Sequence, residues 1–259
     1  MLGVGAIQRF GEGILGTIRE VGAMTIMLVQ AIGWIFRPPL RIGLTLRQME
    51  FVGAGSFFIV FLTGTFAGLV LALQLVEGFG RFNAENLVGS TIAIALTREL
   101  GPVLTGLIVT GRVASAMATE LGTMRVTEQI DALQTMAVNP IQYLVLPRIL
   151  AGITMIPILT MFFNVLGMSA AYWISVEVLG IDAGAFMRNV RDILTPADIA
   201  IGVWKSVAFG VLITTVACYK GFNAKGGARG VGQATTGAVV FNFIAIFLLD
   251  YVITVLDFA

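Results

Sequence analysis

The sequence predicts an all-α integral membrane protein, with an N-terminal interfacial helix followed by five transmembrane helices, in one domain that covers residues 1–259. Of the 259 residues, 57% are hydrophobic and only 12% are charged, whereas soluble domains have about 45–50% apolar and about 25% charged residues. Five stretches reach the length of about 20 mainly apolar residues that an α-helix needs to cross a bilayer. No alternating apolar and polar pattern, typical of a strand, competes with them.

The N-terminal region, residues 1–48, predicts a helix that does not cross the membrane. Residues 21–36 provide only about 16 apolar-leaning residues before Arg37-Pro38-Pro39, which is short of a crossing length. Charged residues precede this stretch and no clean small-residue cleavage pattern follows it, so a signal peptide is not expected. We expect an interfacial helix, anchored at the cytoplasmic headgroups by arginine side chains and Trp34, with a re-entrant segment as the alternative.

The five predicted spans form a bundle over residues 49–259. The first span, residues 51–76, carries no charge and would be about 39 Å long at about 1.5 Å per residue, enough to cross with a tilt. The third span contains Pro157, which predicts a kink that neighbouring helices accommodate. The spans after the first are residues 87–111, 149–176, 199–219 and 231–256.

The distribution of Lys and Arg predicts the orientation, because translocated loops are poor in positive charge. The N-terminal segment and the loops after spans two and four contain Arg9, Arg19, Arg37, Arg41, Arg47, Arg112, Arg125, Arg148, Lys220, Lys225 and Arg229. The loops on the opposite side contain only Arg81, Arg188 and Arg191, beside several acidic residues. We therefore place the N-terminus in the cytoplasm and the C-terminus on the outer side.

Four charged residues fall inside predicted spans: Arg98, Glu99, Lys205 and Asp250. Such charges are costly in a bilayer and persist when they are paired or hydrated. Arg98 and Glu99 point about 100° apart on a helix, so we expect each to meet a different helix. Lys205 and Asp250 have similar predicted depths and opposite signs, which makes a pair geometrically plausible. Two interpretations stay open: the charges neutralise one another in the bundle, or some of them line a polar cavity. Both can hold together.

Composition also excludes several classes of function. The chain has no histidine and a single cysteine, Cys218, so it lacks imidazole catalysis, an internal disulfide and Cys/His zinc sites. A net charge of +1 offers no basic surface for nucleic acid. The glycine-rich segments at residues 11–16 and 226–232 lack the preceding strand or the Gly-Lys-Ser/Thr ending of nucleotide-binding loops. We expect neither an enzyme nor a resident cofactor.

The connection between spans two and three predicts an amphipathic cytoplasmic helix over residues 120–133. Val126, Ile130 and Leu133 fall on one apolar stripe, and acidic and amide side chains occupy the remaining surface. Asn139-Pro140 ends the pattern. From periodicity alone, an interfacial connecting helix is the favoured interpretation.

Short motifs follow one another in a characteristic order from the second span to the last. They are Arg98-Glu99-Leu100-Gly101-Pro102, Gly111-Arg112-Val113-Ala114-Ser115-Ala116, Glu120-Leu121-Gly122, Thr127-Glu128-Gln129-Ile130-Asp131-Ala132-Leu133, Asn139-Pro140 and Leu249-Asp250-Tyr251-Val252. In this order they closely resemble the MlaE/YrbE family of bacterial ABC-transporter permeases. The resemblance covers nearly the whole chain.

This resemblance implies a permease subunit that moves phospholipids between the inner and outer membranes, a system linked to outer-membrane lipid asymmetry. It implies a homodimer in the bacterial inner membrane with a periplasmic C-terminus, a separate cytoplasmic ABC ATPase that binds ATP, a periplasmic lipid-binding MCE-domain protein and often a small STAS-domain protein. It also makes the connecting helix a coupling helix that docks on the ATPase, with the expected residues Glu120, Gly122, Arg125, Glu128, Gln129, Asp131 and Leu133.

A homodimer would enclose a lipid cavity between spans one and five of the two copies. From the resemblance together with geometry, we expect its lining to include Leu69, Leu73, Leu75 and Val76. The alternative is an ion- or proton-coupled secondary transporter that uses the intramembrane charges, although the charged positions in the two halves do not correspond as an inverted repeat would require. An intramembrane hydrolase is disfavoured because the chain has no histidine and no facing aspartates.

Overall fold

The computed structural model describes the backbone of residues 2–35, 37 and 41–258, and the side chains of residues 15–35, 37 and 41–257. Over these residues the chain is helical with short turns and contains no strand, which confirms the predicted all-α class. The α-helices are α1 (Leu2–Ile35), α2 (Ile42–Gly80), α3 (Val88–Ile94), α4 (Gly101–Val109), α5 (Ser115–Val126), α6 (Gln129–Thr135), α7 (Leu146–Trp173), α8 (Ala183–Ile193), α9 (Pro196–Phe222) and α10 (Gly227–Phe258).

Among the described residues, six stretches of helix are long and apolar enough to cross a membrane. They are Leu15–Ile35, Ile42–Gly80, Glu85–Val126, Ile141–Val178, Pro196–Phe222 and Gly227–Asp257. The last five contain the five predicted spans, and each extends beyond the predicted ends. Uncharged runs underestimate these helices because a helix continues past the hydrocarbon core, which is about 30 Å thick.

The apolar part of the N-terminal helix α1 is longer than the sequence predicted. This part, Leu15–Ile35, has 21 residues and meets the length of a crossing helix, whereas the prediction counted only from residue 21. Glu20 lies inside this helix, and its charge is paired with Lys220 in the last turn of α9. Further along α1, Met27 and Ala31 are buried against residues near the ends of α5, α6 and α7. The interfacial placement of α1 stays a prediction.

Glycines allow the long helices α2, α7 and α9 to pack closely. Gly64 and Gly68 of α2 lie against the backbone of α7, with Gly68 directly against Gly167. Elsewhere on α7, Gly152 lies against Gly210 of α9. A Cβ at Gly68, Gly152 or Gly210 would collide with backbone atoms, so the GxxxG spacing in α2 serves packing between helices of one chain.

The helix over Glu85–Val126 is not regular, because it widens into π-helical turns at Ala95–Leu100 and Thr110–Ala114. Pro102 follows the first turn, and a proline ring crowds the carbonyl group four residues earlier, here that of Arg98. Widening of the backbone relieves this clash. π-Helical turns are frequent at functional sites, and these two carry three charged residues: Arg98, Glu99 and Arg112.

Candidate functional site: intramembrane charges and an exposed connector

Lys205 lies at the centre of a charged cluster between the second, fourth and fifth predicted spans. Its ammonium group donates to Oε2 of Glu99 at 2.6 Å and to the hydroxyl group of Thr254 at 2.7 Å. Oδ1 of Asp250 lies 2.9 Å from the same nitrogen, as an ionic contact without hydrogen-bond geometry. The Lys205 side chain is 1% exposed, so its charge is balanced entirely by these neighbours. The structure thus joins Lys205 and Asp250, and adds Glu99 as a second carboxylate.

Arg98 belongs to a separate cluster beside the first. Its Nη1 donates to Oδ1 of Asp198 at 2.9 Å, and its Nη2 contacts the carboxylate of Asp257. Asp198 also accepts from the backbone and side chain of Thr195, which completes a capping box at the start of α9. Arg98 and Glu99 therefore contact different sets of partners, as expected for adjacent residues on a helix.

Among the partners described above, Thr254, Asp198 and Asp257 were not predicted from the sequence. Asp198 directly precedes the fourth predicted span, residues 199–219, so the apolar pattern alone does not place it inside the bundle. The spacing of Thr195 and Asp198 is that of a capping box, which could have placed Asp198 in the first turn of a helix. Asp257 follows the last apolar run and carried no comparable signal.

The predicted connecting helix is divided into two helices. α5 ends at Val126, and Glu128 adopts a left-handed backbone with φ of 60° before α6 begins. A left-handed conformation is uncommon for a residue with a side chain. It turns the chain so that Ile130 is fully buried and Leu133 is half-buried against the bundle. The structure therefore differs from the single predicted helix at Thr127 and Glu128.

The seven predicted coupling residues have different environments. Glu128, Gln129 and Asp131 are exposed, and Asp131 pairs with Arg125 at 2.5 Å. Glu120 instead pairs with the buried Arg148 of α7 at 2.7 Å, and buried Gly122 lies beside Val231 of α10; Leu133 packs inward. Among the described residues, the exposed polar side chains at the start of α6 form no ion pair with α7 or α10, whereas Glu120, although its side chain is 55% exposed, is tied to α7 through Arg148.

The four predicted cavity residues occupy two environments on α2. Leu73 is exposed and Leu69 is half-buried, whereas Leu75 and Val76 pack against the hydrophobic core of the bundle. A cavity of about 730 Å³ lies elsewhere, lined by apolar side chains of α1, α9 and α10. Exposed apolar side chains also continue along both helices that the sequence assigns to the dimer cavity: Phe58, Leu62, Phe66 and Val70 on α2, and Val240, Ile244, Phe247, Leu248 and Tyr251 on α10.

Within the described ranges, no group of three or more Cys, Asp or Glu residues is arranged to hold a metal ion. The segment at residues 11–16 lies inside α1, with no strand before it. The glycine-rich segment at residues 226–232 forms the turn into α10 and its first residues. The long apolar helices and the charge pairs between them are those of a multi-pass integral membrane protein.

Comparison with known proteins identifies the family. The family model described as Permease MlaE matches residues 45–256, and the chain therefore belongs to the MlaE permease family. It is similar to a protein of Rickettsia prowazekii named as a probable ABC transporter permease, with 42% identity over 248 residues and 96% coverage of each chain. Membership makes it a transporter subunit rather than an enzyme, in the inner membrane.

Two further relatives extend the comparison. The intermembrane phospholipid transport system permease protein MlaE of Haemophilus influenzae is 34% identical over 258 residues, with 98% coverage of each chain. The chloroplastic protein TRIGALACTOSYLDIACYLGLYCEROL 1 of Arabidopsis thaliana is 40% identical over 210 residues, which are 81% of this chain and 60% of the plant protein. The similarity thus spans the charge clusters and the connector.

Proposed function

We propose that this chain is the permease subunit of an ABC transporter that moves phospholipids between the inner and outer membranes. The observation that carries the proposal is similarity along the whole chain to a permease named for intermembrane phospholipid transport. The sequence contains no Gly-Lys-Ser/Thr ending after a glycine-rich loop. A separate ABC ATPase therefore binds and hydrolyses ATP, and a periplasmic MCE-domain protein exchanges lipid with the permease.

The start of α6 is the proposed docking surface for the ATPase. Glu128, Gln129 and Asp131 are exposed there, while Ile130 anchors the helix to the bundle. A short helix with one buried and one polar face can enter a groove of a partner and transmit its movement. In this proposal Glu120 and Gly122 act indirectly, because they join the α5 end to α7 and α10, and so carry the movement into the membrane.

A second copy of the chain completes the transport path. The exposed apolar side chains of α2 and α10 would face each other across a homodimer and enclose a space for acyl chains. Leu69 and Leu73 line the outer part of this space, and Leu75 and Val76 support them from the core. Apolar walls bind acyl chains with about 0.8 kcal/mol per buried CH₂ and without a hydrogen-bond code, so selectivity among lipids is weak.

The orientation follows from the positive charges at one end of the bundle. The N-terminus and the connector face the cytoplasm, and the C-terminus faces the periplasm. α1 lies at the cytoplasmic interface, which is supported by its contacts with the ends of α5, α6 and α7. A small STAS-domain protein would join the complex on the cytoplasmic side.

Co-purification and reconstitution test the proposed function. The tagged chain should co-purify with an ABC ATPase and an MCE-domain protein. In proteoliposomes this complex should transfer a fluorescent phospholipid to acceptor vesicles when ATP is present. An ATPase that cannot hydrolyse ATP is the matched control and should abolish transfer. Phospholipid transfer by the chain without any ATPase would contradict the proposal.

An ion- or proton-coupled transporter is the second candidate, and one observation favours it. Lys205 contacts two carboxylates, so its cluster has one more acidic group than basic groups. A surplus carboxylate in a membrane can take up a proton. Collapse of the proton gradient by a protonophore should stop transport by such a protein, whereas an ATP-driven permease in proteoliposomes should continue.

A further inference from the structure

Arg112 connects α2 to the second π-helical turn. Its Nη1 donates to the carbonyl oxygen of Phe51 at 3.0 Å and to the hydroxyl group of Ser56 at 2.9 Å. The guanidinium group also lies over the Phe51 ring, 5.3 Å from its centroid. Gly55 makes room for this arrangement, because a Cβ there would collide with Nη2. The sequence placed Arg112 in a cytoplasmic loop, whereas the structure places it inside a continuous helix.

One edge of the Arg112 guanidinium group has no partner. Nε and Nη2 make no hydrogen bond to the described residues, and protein atoms do not seal them from their surroundings. The neighbouring Gly111 is exposed, and a Cβ built there would meet no described atom within 4 Å. The planar guanidinium group can bind two oxygens of a phosphate or carboxylate at once through such an edge.

Arg112 also differs from other cations of the long helices. Arg98, Arg148, Lys205 and Lys220 each contact a carboxylate. Arg112 has neutral acceptors only, and none of the ion pairs between described residues includes it. A charge without a counter-ion is costly within a membrane, so an anion from outside the chain is the expected partner.

The position of Arg112 favours a lipid as the source of that anion. Phe51 begins the uncharged stretch of α2, directly after Glu50, so Arg112 lies where the helix leaves the headgroup region on the proposed cytoplasmic side. The turn that carries it contacts both α2 and α10. Leu73, in the predicted cavity, lies about 27 Å further along α2 from Gly55 at about 1.5 Å per residue. The two positions therefore belong to opposite leaflets.

We propose that the free edge of Arg112 binds the phosphate group of a phospholipid in the cytoplasmic leaflet. This inference rests on the proposed function and deepens it, since it adds a headgroup contact at the end of the path opposite Leu73. The phosphodiester supplies the anionic oxygens that the chain does not, and the acyl chains follow the exposed apolar faces of α2 and α10. A neutral diacylglycerol has the same acyl chains without the charge, so it is bound much more weakly at this position.

Photo-cross-linking beside Arg112 tests the proposal in proteoliposomes that contain the full chain and its partner subunits. Gly111→Cys provides an attachment point for a thiol-reactive cross-linker, and the native Cys218 is buried. With Arg112 intact, capture of phosphatidylglycerol should exceed capture of the diacylglycerol with the same acyl chains by about tenfold, because only the phosphate accepts charge-assisted hydrogen bonds.

Three variants in the Gly111→Cys background separate phosphate binding from the connection to α2. Arg112→Gln should remove the difference between the two lipids. Arg112→Lys should keep part of it, since the ammonium group retains the charge without the planar fork. Ser56→Ala removes one acceptor of Nη1 and leaves the free edge unchanged, so it should keep the full difference.

Equal capture of the two lipids with Arg112 intact would overturn the proposal without any need for a folded variant. Capture of a second copy of the chain in place of lipid would indicate that the partner of Arg112 is an acidic side chain of that copy, and would also overturn the proposal. A preference for phosphatidylglycerol that appears only in phosphate-free buffer and disappears at millimolar inorganic phosphate would assign the site to the free anion, and would also overturn the proposal. ATP-dependent lipid transfer is measured in the same vesicles: its absence in the unmodified complex contradicts the proposed function, whereas its presence without phosphate-dependent capture contradicts only the role of Arg112.

Discussion

Lys205 and Glu99 are 106 residues apart in the chain, and their charged atoms are 2.6 Å apart in the structure. Glu99 shares the lysine with Asp250, whose Oδ1 is 2.9 Å from the same nitrogen. Lys205 is buried, while Glu99 is 40% exposed and Asp250 is 17% exposed. The lysine therefore depends on two carboxylates that reach it from different helices.

Removal of this lysine should destabilise the bundle. Lys205→Met leaves Glu99 and Asp250 without their cation, and breaking a buried pair costs about 3–5 kcal/mol. Combination with Glu99→Gln and Asp250→Asn should recover part of this loss, because the triple variant leaves no unpaired charge. The measurement is the free energy of unfolding in mixed micelles.

Glu77→Gln is the control for this series. Glu77 pairs with Arg81 at 2.9 Å, but both side chains are more than 70% exposed, and such pairs contribute about 0–1 kcal/mol. Additive losses in the Lys205 series, with no coupling between the three positions, would contradict the cluster.

Charge reversal at the start of α6 should release the ATPase. Glu128→Lys with Asp131→Lys replaces two exposed carboxylates of the proposed docking surface. We expect at least tenfold weaker binding of the ATPase. Charges are complementary across an interface, so reversing the sign of two of them turns attraction into repulsion. The measurement is the affinity of the purified ATPase for the chain in detergent.

Glu177→Lys is the matched control for this reversal, since Glu177 lies in the π-helical turn after α7, at the opposite end of the bundle. It should leave ATPase binding unchanged. Retained binding and transport in the double variant would make the connector a structural link only.

Gly68 should be far less tolerant of substitution than Gly78, although both lie in α2. A Cβ at Gly68 would collide with the backbone of Gly167, whereas a Cβ at Gly78 meets nothing within 4 Å. Gly68→Ala should cost about 1–3 kcal/mol through overpacking, and Gly78→Ala should be neutral or stabilising by up to about 1 kcal/mol. Thermal unfolding of the two variants measures the difference, and equal midpoints would contradict the close approach.

Leu73→Asn should reduce the amount of phospholipid that co-purifies with the complex. A polar side chain in an apolar lipid site lowers the free energy gained by burying acyl chains. The ATPase should remain bound, because it docks at the other end of the bundle. Val165→Asn is the control on α7, where the side chain is also exposed and lies outside the proposed dimer cavity, and it should leave the lipid content unchanged.

The sequence accounts for the long helices and for part of the candidate site. Lys205 and Asp250 were expected as partners because a single charge in a bilayer is costly, and the structure places them in contact. Asp257 could not be placed in advance, because it lies beyond the last apolar run and reaches Arg98 only through the packing of α10. The division of the connecting helix at Glu128 was not predictable from the neighbouring residues either. Its left-handed backbone accompanies the burial of Ile130, which is a contact with the rest of the bundle.

The shared lysine also bears on how the chain is made. Synthesis proceeds from the N-terminus, so Glu99 has already emerged from the ribosome when Lys205 follows, and Asp250 comes last. Glu99 is therefore available to neutralise the lysine when α9 inserts, before α10 follows it. Asp250, on the final helix, can join only afterwards, so the lysine is paired once with a helix made before α9 and once with a helix made after it.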